Sequence, residues 1–153
     1  MKKAFSAALV FALILSAAVM AAGETAWVTG GSLRVRREPS ADAQALGSLS
    51  AGACIQTETA GGEWSRVQLG EIEGYVMSAY LSASPLGETP AARRVTSPYG
   101  TPTVVLRSRP SNSYGAAGVL PAGTEVTVLG EFDGFIAVDS PAGTGFLAKN
   151  EVK

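Results

Sequence analysis

The 153-residue chain contains no histidine and a single cysteine, Cys54. Ser-His-Asp triads, Cys-His nucleophile pairs and histidine-containing zinc sites all need an imidazole as a base or a ligand. The composition therefore excludes the commonest hydrolase mechanisms. One cysteine also excludes an intramolecular disulfide, so hydrophobic cores alone must hold the fold together.

The chain also lacks an excess of basic residues, since 12 Lys and Arg stand against 13 Asp and Glu, for a net charge of −1. Nucleic-acid binding depends on a basic surface that displaces counterions, so no nucleic-acid partner is predicted. Attraction to anionic membranes is not indicated either. No D-x-D-x-D-G loop occurs, so no calcium site is predicted, and no metal or cofactor is expected.

Long apolar runs are confined to the N-terminus. Residues 1–22 contain two lysines, an apolar stretch and then small residues, which is the pattern of a secretory signal peptide. Cleavage near Ala21 or Ala22 would take the net charge from −1 to −3 and leave no segment to insert into a membrane. The alternative is an uncleaved anchor, because the apolar run approaches the roughly 20 residues of a membrane helix. We expect a secreted or cell-envelope protein.

Shifting the sequence by 71 positions aligns its two halves without a gap. The run SLRVRREPSA at residues 32–41 falls on TVVLRSRPSN at residues 103–112, and matched pairs include Arg36 with Arg107, Pro39 with Pro110, and Gly47 with Gly118. Glycine and proline matches indicate shared backbone geometry as well as shared hydrophobicity. We predict two copies of one unit, at residues 24–82 and 98–153, joined by a linker at residues 83–97. Because each copy is small, some packing of one copy on the other is expected.

Within each copy, short segments alternate between apolar and polar residues, which is typical of β-strands. Leu33 and Val35 share one face of such a segment, whereas Arg34 and Arg36 share the other. The only helical signal is the tripeptide SAY at residues 78–80, where we expect one 3₁₀ turn. Many short strands punctuated by glycine predict an all-β fold in which each copy curls into a small barrel.

The first copy resembles the bacterial SH3 (SH3b) domain. The segments SLRVRREPS, LGSLSAGACIQ and EWSRVQLGEIEGYVMSAYL follow the order and spacing of that family's motifs, although Tyr75 replaces a tryptophan. The second copy is similar to the family more loosely, with Phe135 at the position of Trp64 and Glu151 at the position of Tyr80. The resemblance implies two tandem SH3-like β-barrels that serve as binding modules.

Four aromatic residues of the first copy are the candidate ligand-binding residues: Trp27, Trp64, Tyr75 and Tyr80. Rings exposed on one side of a small barrel would offer contact area to a sugar face or an extended peptide at little entropic cost. The alternative is that Trp64 and Tyr75 only cover the barrel core. Recognition of proline-rich peptides is not expected, because the acidic-aromatic ALYDY strip of eukaryotic SH3 domains is absent.

Arg36 and Arg107 end equivalent strands, so each is expected to pair with an acid or stack on a ring of its own copy, or else to contact a ligand. Cys54 lies on a strand where Ile55 and Thr57 are predicted to face inward, which places the cysteine on the less buried face. It is expected either to be half covered by a loop or to link two chains through a disulfide.

The acidic residues near predicted turns form no recognisable catalytic pair, so no catalytic residues and no enzymatic activity are expected. The sequence therefore predicts an exported, non-catalytic binding protein. Its expected ligand is a cell-envelope component such as a peptidoglycan peptide or glycan, and two copies would add avidity. The alternative is a protein–protein adaptor that docks an exported enzyme or receptor.

Overall fold

The computed structural model describes residues 23–59, 62–85, 87, 89–113 and 115–153, so the predicted signal peptide lies outside the described residues. The strands described in the first copy are β1 (Glu24–Val28), β2 (Ser32–Arg36), β3 (Ala45–Ser50), β4 (Cys54–Thr59), β5 (Trp64–Leu69), β6 (Ile72–Met77) and β7 (Leu81–Ser82). The predicted 3₁₀ turn is present at Ser78–Tyr80, between β6 and β7.

The second copy repeats this order. It contains β8 (Ala92–Arg94), β9 (Thr103–Arg107), β10 (Ala116–Pro121), β11 (Glu125–Phe132), β12 (Phe135–Ser140), β13 (Gly143–Ala148) and a 3₁₀ turn at Lys149–Glu151. A shift of 71 positions superimposes the bounds of β2 on β9, β3 on β10, β5 on β12 and β6 on β13. The predicted duplication is therefore confirmed, with four pairs of strands at the same spacing.

The described strands form one antiparallel sheet of thirteen strands, in the order β10-β9-β13-β12-β11-β3-β2-β6-β5-β4-β1-β7, with β8 also paired to β11. The all-β prediction is confirmed. The expected closure into two separate barrels is not found, because the sheet runs without a break from one copy into the other. The free edge of β3 pairs with β11, through Leu49 with Gly130 and Ser48 with Glu131. Because β3 pairs with a strand of the other copy, its edge is covered although the sheet does not close within the first copy.

Two glycines make this junction between the copies possible. A Cβ atom on Gly130 would lie 2.0 Å from the backbone oxygen of Ser48, and one on Gly47 would lie 2.4 Å from the Phe132 ring. Contacts this short do not occur in proteins, so β3 and β11 approach each other only because both positions lack a side chain.

The first hydrophobic core is shared between the copies. It contains the inward residues Leu33 and Val35, as predicted, together with Phe132 and Phe146 of the second copy. The two phenylalanine rings meet edge to face, with centroids 5.6 Å apart and planes at 76°. A second core belongs to the second copy alone and consists of Val95, Val104, Leu106, Leu120, Val126, Val138 and Leu147. The predicted packing of one copy on the other is thus a shared core rather than a surface contact.

Part of the predicted linker belongs to the second copy. Residues 92–94 form β8, which pairs with β11, and the next residue, Val95, is 1% exposed. The Val95 N–H donates to Thr124 O and the Val95 carbonyl accepts from Gly123, which repeats the bonds of Val28 with Ala53 and Gly52. Val95 follows Val28 by 67 positions rather than 71, so the gapless alignment could not reveal this strand.

Candidate functional site

A groove opens on the first copy between β2, the ends of β5 and β6, and the 3₁₀ turn; we call it the first-copy groove. It has a volume of about 240 Å³ and is lined by Ser32, Leu33, Arg34, Arg36, Trp64, Met77 and Tyr80. Trp64 lies opposite Met77 in the β5–β6 ladder, and β2 flanks β6 on its other side, which brings in the arginines. The groove therefore combines aromatic surface with cationic hydrogen-bond donors.

The two aromatic residues of this groove are accessible to a ligand. Tyr80 is 50% exposed, and Trp64 is half-buried at the start of β5. Tyr80 lies in the 3₁₀ turn, where its backbone oxygen accepts a hydrogen bond of 2.9 Å from Thr29. The backbone of the turn is thus held in place while the ring projects from it. Large rings held in this way provide contact area with little loss of conformational entropy on binding.

The structure brings together two of the four predicted ligand-binding rings. Trp64 and Tyr80 line the first-copy groove. Tyr75 is half-buried on β6, opposite Arg36 and Arg66, and does not line the groove. Trp27 lies on β1 opposite Cys54, outside the groove. The single aromatic platform expected from the sequence is therefore reduced to the pair Trp64 and Tyr80.

Arg34 and Met77 line the groove without having been predicted, and Arg36, for which ligand contact was the alternative role, also lines it. Only Arg36 carried a sequence signal, because it recurs as Arg107. The Nη1 of Arg36 donates a hydrogen bond of 2.7 Å to the backbone oxygen of Ala43, in the turn after β2. This bond to the backbone differs from the acid pair or ring contact predicted for the arginine, and it uses one of the five N–H donors of a guanidinium group.

The second copy contains a buried ion pair at the equivalent place. Arg107 Nη1 donates to Glu151 Oε2 at 2.7 Å and Arg107 Nη2 donates to Glu151 Oε1 at 3.2 Å. The Phe135 ring lies 5.6 Å from the guanidinium carbon. The Ala148 N–H also donates to Glu151 Oε2, at 2.8 Å. Arg107 thus both pairs with an acid and stacks on a ring, which are the two structural roles predicted for it.

A wider groove, here called the inter-copy groove, lies between the two copies. It has a volume of about 630 Å³, and its lining includes Arg34, Ile72, Pro110 and Asp133. The two copies also meet close to it, because the Glu71 N–H donates to Ser108 O at 2.9 Å. Arg34 lines both grooves and therefore lies between them.

The family model of the bacterial SH3 domain matches this chain twice, at residues 31–82 and 102–153. The chain belongs to the bacterial SH3 domain family. Both matches contain the strands that form the grooves, which confirms the tandem arrangement expected from the sequence. The second match begins after β8, so the structure extends that SH3 copy by one strand towards the N-terminus.

Two solved structures are similar to this tandem SH3 chain over part of their length. NlpC1 from Trichomonas vaginalis is 15% identical with a TM-score of 0.43, and the alignment covers 86% of this chain and 45% of that one. NlpC2 from the same organism is 14% identical with a TM-score of 0.42, covering 86% of this chain and 48% of that one. The chain therefore spans about half the length of these proteins. No curated protein matches it.

Some of the acidic residues of the SH3 tandem lie in ion pairs. Arg66 Nη1 lies 3.6 Å from Glu58 Oε2, and its Nε lies 3.3 Å from Glu73 Oε1. Glu71 Oε2 lies 3.3 Å from Arg109 Nε, across the junction between the copies. These carboxylates thus have structural partners.

Among the residues that the structure describes, no helix is long and apolar enough to cross a membrane.

Cys54 has an exposed, free thiol at the start of β4. Partial burial raises the pKa of the Cys54 thiol, and the Asp139 carboxylate of the second SH3 copy raises it further. A raised pKa means less of the reactive thiolate at a given pH. We therefore expect iodoacetamide to alkylate Cys54 more slowly at pH 8 than it alkylates the same thiol in the urea-unfolded chain. Mass spectrometry of timed samples measures both rates.

Asp139→Asn is expected to increase the alkylation rate of folded Cys54, because it removes the negative charge that opposes thiolate formation. Asp42→Asn is the matched control, because it makes the same chemical change at an acid that does not act on Cys54. Equal rates for the Asp139 and Asp42 variants would contradict the assigned cause. The proposed dimer through Cys54 is tested separately, by the loss of a dimer band on reduction.

Proposed function

We propose that this chain is a non-catalytic binding protein of the cell envelope and that the first-copy groove holds a peptidoglycan peptide or glycan. The observation that carries the proposal is the open groove in which half-buried Trp64 and half-exposed Tyr80 lie beside Arg36. The signal-peptide pattern of residues 1–22 supports export, and the bacterial SH3 family supports a binding role. Because one fold serves many functions, the groove and not the fold is the basis of the proposal.

The two copies have different roles in this proposal. The equivalent groove of the second copy has a volume of about 300 Å³, and its arginine, Arg107, is already paired with Glu151 of the same copy. The second copy also contributes Phe132 and Phe146 to the core beneath the first copy. It therefore acts as a structural support for the binding copy, and avidity from two equal sites is not expected.

Retention on purified sacculi tests the proposal. The chain from residue 23 onwards, which contains the described strands, should co-sediment with sacculi, and Trp64→Ala should weaken binding by at least about tenfold. The reason is that a central aromatic residue in a groove commonly supplies much of the binding energy. Sedimentation across a range of sacculus concentrations gives both affinities.

Trp27→Ala is the matched control, because it removes the same side chain at a position outside the groove. Its binding should stay within about twofold of the unmodified chain. Equal losses for the Trp27 and Trp64 variants would contradict the assignment of the groove. No sedimentation of the unmodified chain above an unrelated exported protein would overturn the envelope proposal.

A protein–protein adaptor is the second candidate function, and the inter-copy groove favours it. That groove is larger than the first-copy groove and is formed by both copies. The adaptor function would appear as stoichiometric co-purification of one protein from a native extract, without retention on sacculi. Pro110→Ala, which alters only the inter-copy groove, should then weaken that complex, whereas Trp64→Ala should not.

A further inference from the structure

The second copy shows which chemical group fits the position of the first-copy groove. There, one carboxylate accepts two hydrogen bonds from Arg107 and one from the N–H of Ala148, beside the ring of Phe135. Both charged side chains are largely buried, at 15% and 12% exposure. Paired donors from a guanidinium and a backbone N–H match the two oxygens of a carboxylate.

The first copy carries the same donors without the acid. At the shift of 71 positions, Arg36 corresponds to Arg107, Met77 to Ala148 and Trp64 to Phe135, but Tyr80 replaces Glu151. Met77 is the residue before the 3₁₀ turn, as Ala148 is in the second copy, and the start of the turn has no side-chain cap. Within the described part of the chain, Arg36 forms no ion pair with a carboxylate.

We propose that the first-copy groove binds the terminal carboxylate of a short peptide. The carboxylate accepts hydrogen bonds from the Arg36 guanidinium and the Met77 N–H, and the preceding residue packs against Trp64 and Tyr80. This inference rests on the proposed function in that it names the chemistry of the ligand held by the same groove. A groove of about 240 Å³ is small for a ligand site, so it suits the end of a chain better than a chain that runs through.

The positive charge of the residues that line the groove supports an anionic ligand. Arg34 lines the groove together with Arg36, and its lining contains no acidic residue among those that the structure describes. The hydrogen bond from Arg36 to Ala43 uses a single N–H, so the other donors of the guanidinium remain for a ligand. The bound carboxylate thus replaces, from outside the chain, the group that Glu151 supplies within the second copy.

The experiment uses NMR titration of the chain, labelled with ¹⁵N, with N-acetyl-Ala-Ala and with its C-terminal amide. The free acid should shift the Met77 amide and the Trp64 indole resonances in a saturable way, and the amide should bind at least about tenfold more weakly, since hydrogen bonds to a charged group are lost. Equal shifts with the acid and the amide, or no shift with either, would overturn the inference.

Two substitutions at one position separate charge from shape. Tyr80→Glu should reproduce the ion pair of the second copy and reduce binding of the free acid at least about tenfold, because the groove then holds its own carboxylate. Tyr80→Gln is the matched control, since it has a similar side-chain size without the charge, and it should bind more tightly than Tyr80→Glu. Equal binding by the two variants would contradict the proposal. A rise in thermal stability specific to Tyr80→Glu shows that the internal pair has formed.

The same titration distinguishes this inference from the proposed function. One outcome is that amidating the carboxyl groups of the sacculi leaves retention unchanged and that the peptide causes no resonance shifts. That outcome would retain the envelope function and overturn the carboxylate ligand. A saturable titration with the free acid but no retention on sacculi would retain the carboxylate site and overturn the envelope function. Loss of retention on amidated sacculi would support both.

Discussion

Gly130→Ala is expected to destabilise the chain by about 3 kcal/mol, at the upper end of the range for overpacked sites. The new Cβ would lie 2.0 Å from the Ser48 backbone oxygen and 2.8 Å from the Leu49 Cα atom. Both are backbone atoms and cannot rotate away, so β3 and β11 must separate. That movement would withdraw Phe132 from the shared core and expose apolar surface of both copies.

Thermal unfolding followed by circular dichroism measures this effect, and a loss of about 3 kcal/mol corresponds to a fall in Tm of roughly 10 °C for a chain of this size. Gly31→Ala is the matched control, because a Cβ there would meet no atom within 4 Å and the backbone is not in the left-handed region. Its Tm should change by no more than about 2 °C. Equal changes for the two variants would show that β3 and β11 do not pair in solution.

Glu151→Gln is expected to destabilise the chain by about 3 kcal/mol. The substitution keeps an oxygen that can accept from Ala148 but leaves the Arg107 cation buried without its counter-charge. Removing one partner of a buried pair typically costs about 3–5 kcal/mol. The lower end applies here, because the two side chains retain 15% and 12% of their exposure to solvent. Urea unfolding at neutral pH measures the change in free energy.

Glu125→Gln provides the control for this prediction. Glu125 pairs with Arg94 at 3.7 Å, but the two side chains are 66% and 68% exposed. Solvent screens such a pair, so its loss should change the stability by less than about 0.5 kcal/mol. Similar effects of the two substitutions would mean that the Arg107–Glu151 pair is not buried in solution.

The ion pair also bears on the different roles proposed for the two copies. Their equivalent grooves differ at several positions, among them Arg34 and Val105, and Tyr80 and Glu151. In the second copy, Glu151 supplies a carboxylate to Arg107 at the edge of a groove of about 300 Å³, whereas Tyr80 stands at that position in the first-copy groove and brings no carboxylate to Arg36. The stability prediction for Glu151 and the binding prediction for Tyr80 therefore test the same difference between the copies, the first through stability and the second through ligand binding.

Most strands could be predicted from local sequence. Alternation places Leu33 and Val35 in the core, and both are buried. It also places Cys54 on the outer face, where the structure has it exposed. Such predictions succeed because an antiparallel strand with one buried face has a period of two residues, whatever its partners are.

The strand β8 could not be predicted in the same way. It consists of three exposed residues, Ala92–Arg94, and only the following Val95 is buried. Three residues are too few to show a period, and the two prolines of the preceding segment favoured a linker. The strand exists because its backbone pairs with β11, which is a contact between segments about 30 residues apart.

The binding groove was predicted only in part, because its residues come from separate elements. Trp64 and Tyr80 are 16 positions apart in the sequence and share the groove with Arg36 of another strand. Tyr75 and Trp27 were equally good candidates by composition, but register places the first beside Arg36 and the second beside Cys54. Which rings share a surface depends on strand order and curvature, which residue type does not encode.

The sequence by itself determined the all-β class, the duplication and the inward faces of the strands, because each of these depends on local periodicity or on direct repetition. Only the tertiary structure decided that the two copies form one sheet with a shared core. That junction depends on the close approach of Gly47 to Phe132 and of Gly130 to Ser48, across β3 and β11. The role of such a glycine becomes visible only when the neighbouring backbone is in place.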